Sequence, residues 1–266
     1  MSYLSRIDHA FSDAPVLPLS ENGRYVLFSD CHRGIGTSND NFLKNQHLYF
    51  AALNYYYQHS FCYIELGDGD ELWENRSFSA IQNIHSNVFW LLSLFYEEHR
   101  LFMLFGNHDI AKKDFHPFSD CCFHEGLRLK DCVTGQELYL THGHQADFFN
   151  STLWRLSCFL VRYLWKPLEQ FGVLDPTSAA KNYKVKNKTE QRLQEWTKLH
   201  KKILITGHTH RPVLGSKDSL YFNTGSCVHP RCITCIELVH REMDTLHQTG
   251  PYPLCRKRSA CRPGRT

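Results

Sequence analysis

Five short apolar runs in this chain each stop at hard or borderline metal ligands, and that recurrence constrains the fold more than any other feature. Residues 25–28 lead to Asp30-Cys31-His32, residues 63–66 to Gly67-Asp68, and residues 101–105 to Gly106-Asn107-His108-Asp109. Residues 138–140 lead to His142-Gly143-His144, and residues 203–205 to Gly207-His208-Thr209-His210. Each run is short, rich in Val, Ile, Leu, Phe and Tyr, and cut off by Gly or a polar residue, the pattern of a buried β-strand. In an α/β sheet, ligands bind outside the carboxyl ends of strands, so side chains far apart in sequence converge on one crevice.

Asp, Asn and His together make an oxygen-and-nitrogen donor set suited to Zn, Mn or Fe, with no thiolate required. Asp30, His32, Asp68, Asn107, His142, His208 and His210 are more ligands than one tetrahedral ion accepts. The count predicts two divalent cations about 3.5–4 Å apart, bridged by one carboxylate, a geometry suited to in-line displacement at phosphorus. Manganese is the first expectation, with iron or zinc as other occupants.

The order D-x-H, G-D-x-x-E, G-N-H-D, H-G-H and G-H-T-H resembles the calcineurin-like metallophosphoesterase superfamily. Asn223-Thr224-Gly225-Ser226 is similar to its strand-end N-x-G-S, and the likeness runs from about Arg24 to Leu238. The resemblance implies Asp30, His32 and His210 on one metal, Asn107, His142 and His208 on the other, and Asp68 bridging them. It implies a metal-bridging hydroxide attacking phosphorus, with His108 protonating the leaving oxygen or stabilising charge there. Asp109 would accept the other ring N–H of His108 and fix its tautomer. Four further residues are candidates for the substrate pocket. Arg33 reaches a phosphate or forms a surface ion pair; Glu71 and Trp73 line the pocket, or Trp73 covers the core; His144 contacts a ligand or phosphate, or simply packs.

A narrower likeness lies in Gly67-Asp68-Gly69-Asp70-Glu71-Leu72-Trp73, which resembles the UDP-2,3-diacylglucosamine pyrophosphatase branch. That branch has a helical insertion between its last two metal motifs, and residues 147–202 fill the interval here. It commonly carries Arg where this chain has His108. The activity implied is hydrolysis of a phosphomonoester or pyrophosphate bond. Alternatives are a UDP-acylated-sugar pyrophosphatase, a protein phosphatase, a cyclic phosphodiesterase and a non-catalytic scaffold. The substrate would be a phosphorylated small molecule, a lipid-linked molecule or a phosphoprotein.

Helical spacing of Leu43, Phe50, Leu53 and Tyr57 predicts a helix over 39–59, and Ile81, Ile84, Val88, Leu91 and Phe95 predict another over 78–99. Strands alternate with helices until residue 220. Short strands over 220–223, 233–238 and 245–248 then suggest the second sheet of a sandwich. The predicted architecture is a four-layer α/β/β/α sandwich, one domain over 1–250 with a flexible tail over 251–266. Within the insertion, 154–165 reads as a very apolar helix, either a cap on the body or a slot or membrane-surface contact over about 153–166. Residues 181–202 are lysine-rich, a solvated helix face or a holder of anionic substrate.

The 266 residues, 42% of them hydrophobic, suffice for one sizeable core. A net charge of +3 argues for no nucleic-acid partner. Eleven cysteines would suit a secreted disulfide framework. Residues 1–13, however, are mixed and polar, unlike a secretory leader, and no apolar run approaches the ~20 residues of a membrane span. The expectation is a reducing, cytoplasmic setting with most thiols buried as small hydrophobes, and Cys232-Ile233-Thr234-Cys235 in a strand rather than a metal knuckle.

Overall fold

The computed structural model describes residues 1–37, 40–114, 118, 123–165, 182–215, 219–230, 232–240, 242–248 and 255–258. In chain order the elements are α1 (Tyr3–His9), β1 (Val16–Leu19), β2 (Arg24–Phe28), α2 (Gln46–Gln58), β3 (Cys62–Leu66), α3 (Phe78–Ile84), α4 (Ser86–Glu97), β4 (Leu101–Leu104), β5 (Phe123–His124), β6 (Gly126–Asp131) and β7 (Glu137–Thr141). There follow α5 (Phe148–Ser151), α6 (Trp154–Leu160), α7 (Tyr183–His200), β8 (Ile203–Thr206), β9 (Tyr221–Asn223), β10 (Ile233–Val239), β11 (Glu242–Gln248) and β12 (Cys255–Arg258).

The strands form two sheets, ordered β1-β6-β7-β8-β9 and β12-β11-β10-β2-β3-β4-β5. Leu27, Ile64, Leu66 and Leu104 of the larger sheet pack on Leu127, Leu138, Leu140, Ile205 and Phe222 of the smaller one. Helices cover the two outer faces. Tyr49, Leu53 and Tyr56 of α2 and Val88, Leu91, Leu92 and Phe95 of α4 bury against Val26, Phe28 and Tyr63. Ile7 of α1 and Leu193 and Trp196 of α7 bury against Tyr139, Leu204 and Tyr221. The result is the four-layer α/β/β/α sandwich with helices inserted between the last two ligand motifs.

All five site strands form where the apolar runs lie, β2, β3 and β4 being mutually parallel and β7 and β8 parallel in the other sheet. The segment after residue 220 differs from expectation. β9 extends the smaller sheet beside β8, whereas β10 runs antiparallel to β2 and carries β11 and β12 into the larger sheet. Residues 233–238 are buried on both faces, Ile236 and Leu238 between the sheets and Ile233 and Cys235 under the helices. Only a central position in a sheet covered on both sides satisfies such a strand. The second sheet is built instead around β6 and β7, with β1 on its edge.

Both long predicted helices are interrupted by a buried polar side chain that bonds elsewhere. Asn45 ends a 3-10 turn before α2 and donates through Nδ2 to the carbonyls of Cys227 and His229 at 2.8 and 2.7 Å. His85 separates α3 from α4 and places Nε2 3.1 Å from Asp40 Oδ2. The apolar stretch after α6 continues as a π-helix over Val161–Trp165, and residues 166–181 of the insertion lie outside the described residues. On α7, Thr189, Glu190, Leu193 and Trp196 are buried while Lys184, Lys188 and Lys198 face water, a solvated basic face. Cys235 is buried with Sγ 3.4 Å from the Tyr56 hydroxyl, and Cys232 just precedes the strand. Among the described residues, no helix is long and apolar enough to cross a membrane.

Candidate metal centre

The backbone turns sharply after β2, β3 and β8. Asp30, His32, Asp68, His208 and His210 all have positive φ, between 47° and 68°. Non-glycine residues rarely occupy that region, and such strain persists where surrounding structure imposes it. Neighbouring glycines let the carboxylates lie against main chain. A Cβ at Gly106 would meet Asp68 Oδ1 at 2.1 Å, and one at Gly207 would meet Asp30 Oδ2 at 2.5 Å.

Asp30, His32 and His210 bring one ligand atom each into a compact group. The Nε2 atoms of His32 and His210 are 3.2 Å apart, and His210 Nε2 is 3.2 Å from Asp30 Oδ1. Two imidazole nitrogens at that separation face a common point. Asp30 is oriented from behind by the Ser29 hydroxyl and by the His208 backbone N–H, at 3.0 Å from Oδ2. Asp68 Oδ2 lies 3.8 Å from His32 Nε2 and 3.1 Å from His142 Nε2, so it stands between this group and the next.

The second group gathers Asp68, His142 and His208. His142 Nδ1 donates to the Leu66 carbonyl at 2.8 Å, which leaves Nε2 as the lone-pair nitrogen. That Nε2, although close to Asp68, is not in hydrogen-bond geometry with it. His142 Nε2, His208 Nε2 and Asn107 Oδ1 are all buried without a hydrogen-bond partner among the described residues. Buried polar atoms are normally paired, so the orphaned His142 Nε2, 3.1 Å from the Asp68 carboxylate, fits a divalent cation. His144 is also buried, with Nδ1 unpartnered and its ring centroid 5.6 Å from that of His142.

Charge balance supports the same fit. Burial pushes the Asp30 carboxyl up, but positive His210 and His142 outweigh it and bring it to about 2. Burial pulls His32 down, and Glu71, Asp68 and Asp30 more than reverse it, to about 10; for His142, Asp68 and Asp30 do the same, to about 9. The carboxylates are thus balanced by imidazolium protons, which a cation at these nitrogens would displace. His144 is held well below its ordinary value by burial and by His142 and His208, so it stays neutral.

The structure reassigns two side chains. Asp109 does not hold the His108 ring. Its carboxylate accepts the backbone N–H groups of Gly106 at 2.7 Å, Gly69 at 3.0 Å and Asp68 at 3.2 Å, and pairs with Lys112 at 2.8 Å. Glu71 has the place read for Asp109: Oε1 is 2.8 Å from His108 Nδ1 and Oε2 is 2.8 Å from His32 Nδ1. Trp73 stacks on the His108 ring with centroids 4.3 Å apart, and His108 donates its backbone N–H to Asp68 Oδ1 at 2.8 Å. Arg33 is neither a phosphate contact nor a surface ion pair. It is fully buried, with Nη1 2.9 Å and Nη2 3.0 Å from Glu65 and Nε 2.7 Å from Asp70.

Several residues here carried no signal in the motifs. Glu65, Asp70 and Asp109 form a third acidic group, but Arg33 and Lys112 fill it, with Lys112 Nζ 2.5 Å from Asp70. Glu65 lies inside an apolar run, and a charge there that needs a buried partner was the only available hint. Asp147, one turn beyond His144, places Oδ2 3.9 Å from His208 Nε2.

No protein-family model matches the chain, and no curated protein sequence matches it. Among solved structures it is similar to a predicted phosphoesterase from Streptococcus pneumoniae, at 15% identity and TM-score 0.40, over 89% of this chain and 98% of that one. It is also similar to the cold-active protein-tyrosine phosphatase of a psychrophilic Shewanella species, at 13% identity and TM-score 0.44, over 91% and 83%.

Proposed function

We propose that this protein is a dinuclear metal-dependent phosphoesterase, its metals held by Asp30, His32 and His210 on one side, Asn107, His142 and His208 on the other, with Asp68 between. The observation that carries the proposal is the convergence of Asp30, His32 and His210 and of Asp68, His142 and His208 into two ligand-sized groups, with His142 Nε2 and Asn107 Oδ1 buried and unpartnered among the described residues. Two divalent cations, when bound, supply positive charge against the phosphoryl oxygens and acidify bound water. The chain's own residues do the rest. Asp68 spans both groups and anchors the His108 backbone. Glu71 holds Nδ1 of His108 and Trp73 supports the ring's face, so Nε2 is free to hold a proton for the departing oxygen.

Manganese is the metal to try first, and the test uses protein stripped by a chelator and reloaded. Hydrolysis of nitrophenyl phosphate should appear only on reloading, with two equivalents bound. Protein carrying two manganese ions yet inert toward monoesters, diesters and diphosphates would overturn the proposal.

A second reading, cleavage of the diphosphate in an acylated nucleotide-sugar, is favoured by a separate feature. Phe148, Phe149, Leu156, Phe159 and Leu164 on the helical insertion leave apolar side chains exposed, a surface suited to acyl chains or to a membrane face along 153–165. A phosphorus-31 spectrum of the products separates monoester from diphosphate cleavage.

A further inference from the structure

Asp147 opens the helical insertion and lies outside the five strand-end motifs. Its Oδ1 accepts the Phe149 N–H at 3.0 Å and caps α5, while Oδ2 accepts Asn150 Nδ2 at 2.7 Å. The same Oδ2 is 3.9 Å from His208 Nε2, and both side chains are more than nine-tenths buried. That separation is ion-pair contact, longer than a hydrogen bond. His208 Nε2 has no hydrogen-bond partner among the described residues. With Nε2 turned toward the insertion, Nδ1 is the ring nitrogen left to face Asp68 and His142, with which His208 shares a ligand-sized group.

We infer that Asp147 is the positioning residue of His208, its carboxylate facing the Nε2–H in ion-pair contact while Nδ1 faces the metal site. The inference rests on the metal-centre reading above. A carboxylate on the far nitrogen of a ligating imidazole fixes the tautomer, holds the ring plane and makes the ligating nitrogen more basic. Because Oδ1 of the same carboxylate caps α5, folding of the first turn of the insertion and occupancy of the Asn107–His142–His208 site are linked. Such linkage runs in both directions. The insertion is thereby tied to one metal site and not to the other, since Asp30, His32 and His210 make no contact with Asp147 among the described residues.

Two variants separate this role from simple helix capping. Asp147→Ser retains a good cap but is too short to meet His208, and Asp147→Asn retains both a cap and an uncharged acceptor oxygen. Chelator-stripped protein is titrated with Mn²⁺, with free ion read by electron paramagnetic resonance. Wild-type protein should bind two ions. The Ser variant should bind one with unchanged affinity and the other about 10–100-fold more weakly, the usual effect of losing such a partner; the Asn variant should fall between. Wild-type affinities at both sites of the Ser variant would overturn the inference, as would equal weakening of both. Wild-type protein that binds no pair of ions would instead overturn the metal-centre reading and this inference with it.

Discussion

Glu71 binds two imidazoles with its two oxygens, and this divided grip sets what His108 can do. Burial raises the Glu71 carboxyl, but the positive charges of His108 and His32 outweigh it and hold it well below the usual range. The carboxylate therefore stays ionised and keeps a proton on His108 Nδ1. His108→Asn should reduce turnover by about 10²–10⁴-fold on alkyl phosphates, the usual contribution of a positioned acid. The loss should be smaller on nitrophenyl phosphate, whose leaving group needs no proton. Equal losses on both substrates in steady-state assays would remove His108 from that role. Arg33 belongs to stability instead. Arg33→Ala leaves Lys112 as the one cation against buried Glu65, Asp70 and Asp109, and breaking a buried pair in this way typically costs about 3–5 kcal/mol. A denaturant melt should show that loss, whereas a phosphate-contact role predicts unchanged stability and a raised KM. Arg33 sits directly after His32 in sequence, but the isolated bridge pairing Arg33 with Asp70 turns its side chain beneath the site. Nothing local in the sequence marks that direction.

At the scale of elements, the strand ends were legible because a buried strand must stop where its polar ligands begin. The glycines after β3, β4 and β8 follow from close approach: at Gly106 and Gly207 an added Cβ would meet the Asp68 and Asp30 carboxylates. Helix limits were less legible. The apolar spacing over 39–59 and 78–99 persists through Asn45 and His85, and only their partners in distant loops explain the breaks. Asp40 is one such partner, receiving the backbone N–H groups of Gly36, Phe42 and Leu43 as well as His85. Burial raises its carboxyl, but the His85 bond and the backbone N–H groups outweigh it and lower it. A depressed carboxyl stabilises the fold above its unfolded value of about 3.9 and loses that contribution as pH falls through the folded value. Urea melts of wild-type and Asp40→Asn protein should differ most near pH 6, begin to converge at about pH 3.9 and meet below the folded value. A gap that stays constant across this range would show that Asp40 acts through shape alone.

Across the whole molecule, the centre joins both sheets: Asp30, Asp68 and Asn107 follow β2, β3 and β4 of one, and His142 and His208 follow β7 and β8 of the other. Cations bound there would hold the sheets together and favour the folded state by mass action. At about 100-fold over the dissociation constant this is worth about 2.7 kcal/mol for each site, or roughly 5–10 °C in Tm per site for a domain of this size. Calorimetry should show that rise when manganese is added to stripped protein, and no rise in Asp68→Asn. An equal rise in both would mean that the stabilising ions bind elsewhere. The sequence by itself determined the candidate ligand types, their order and the strands that present them, because alternation of apolar runs and polar stops is a local property of the chain. Tertiary structure alone decided that β10 joins the larger sheet, that Glu71 and not Asp109 holds His108, that Arg33 is buried, and that Asp147 meets His208. These depend on which faces are covered and which distant loops touch, and burial of that kind is settled only when both sheets pack.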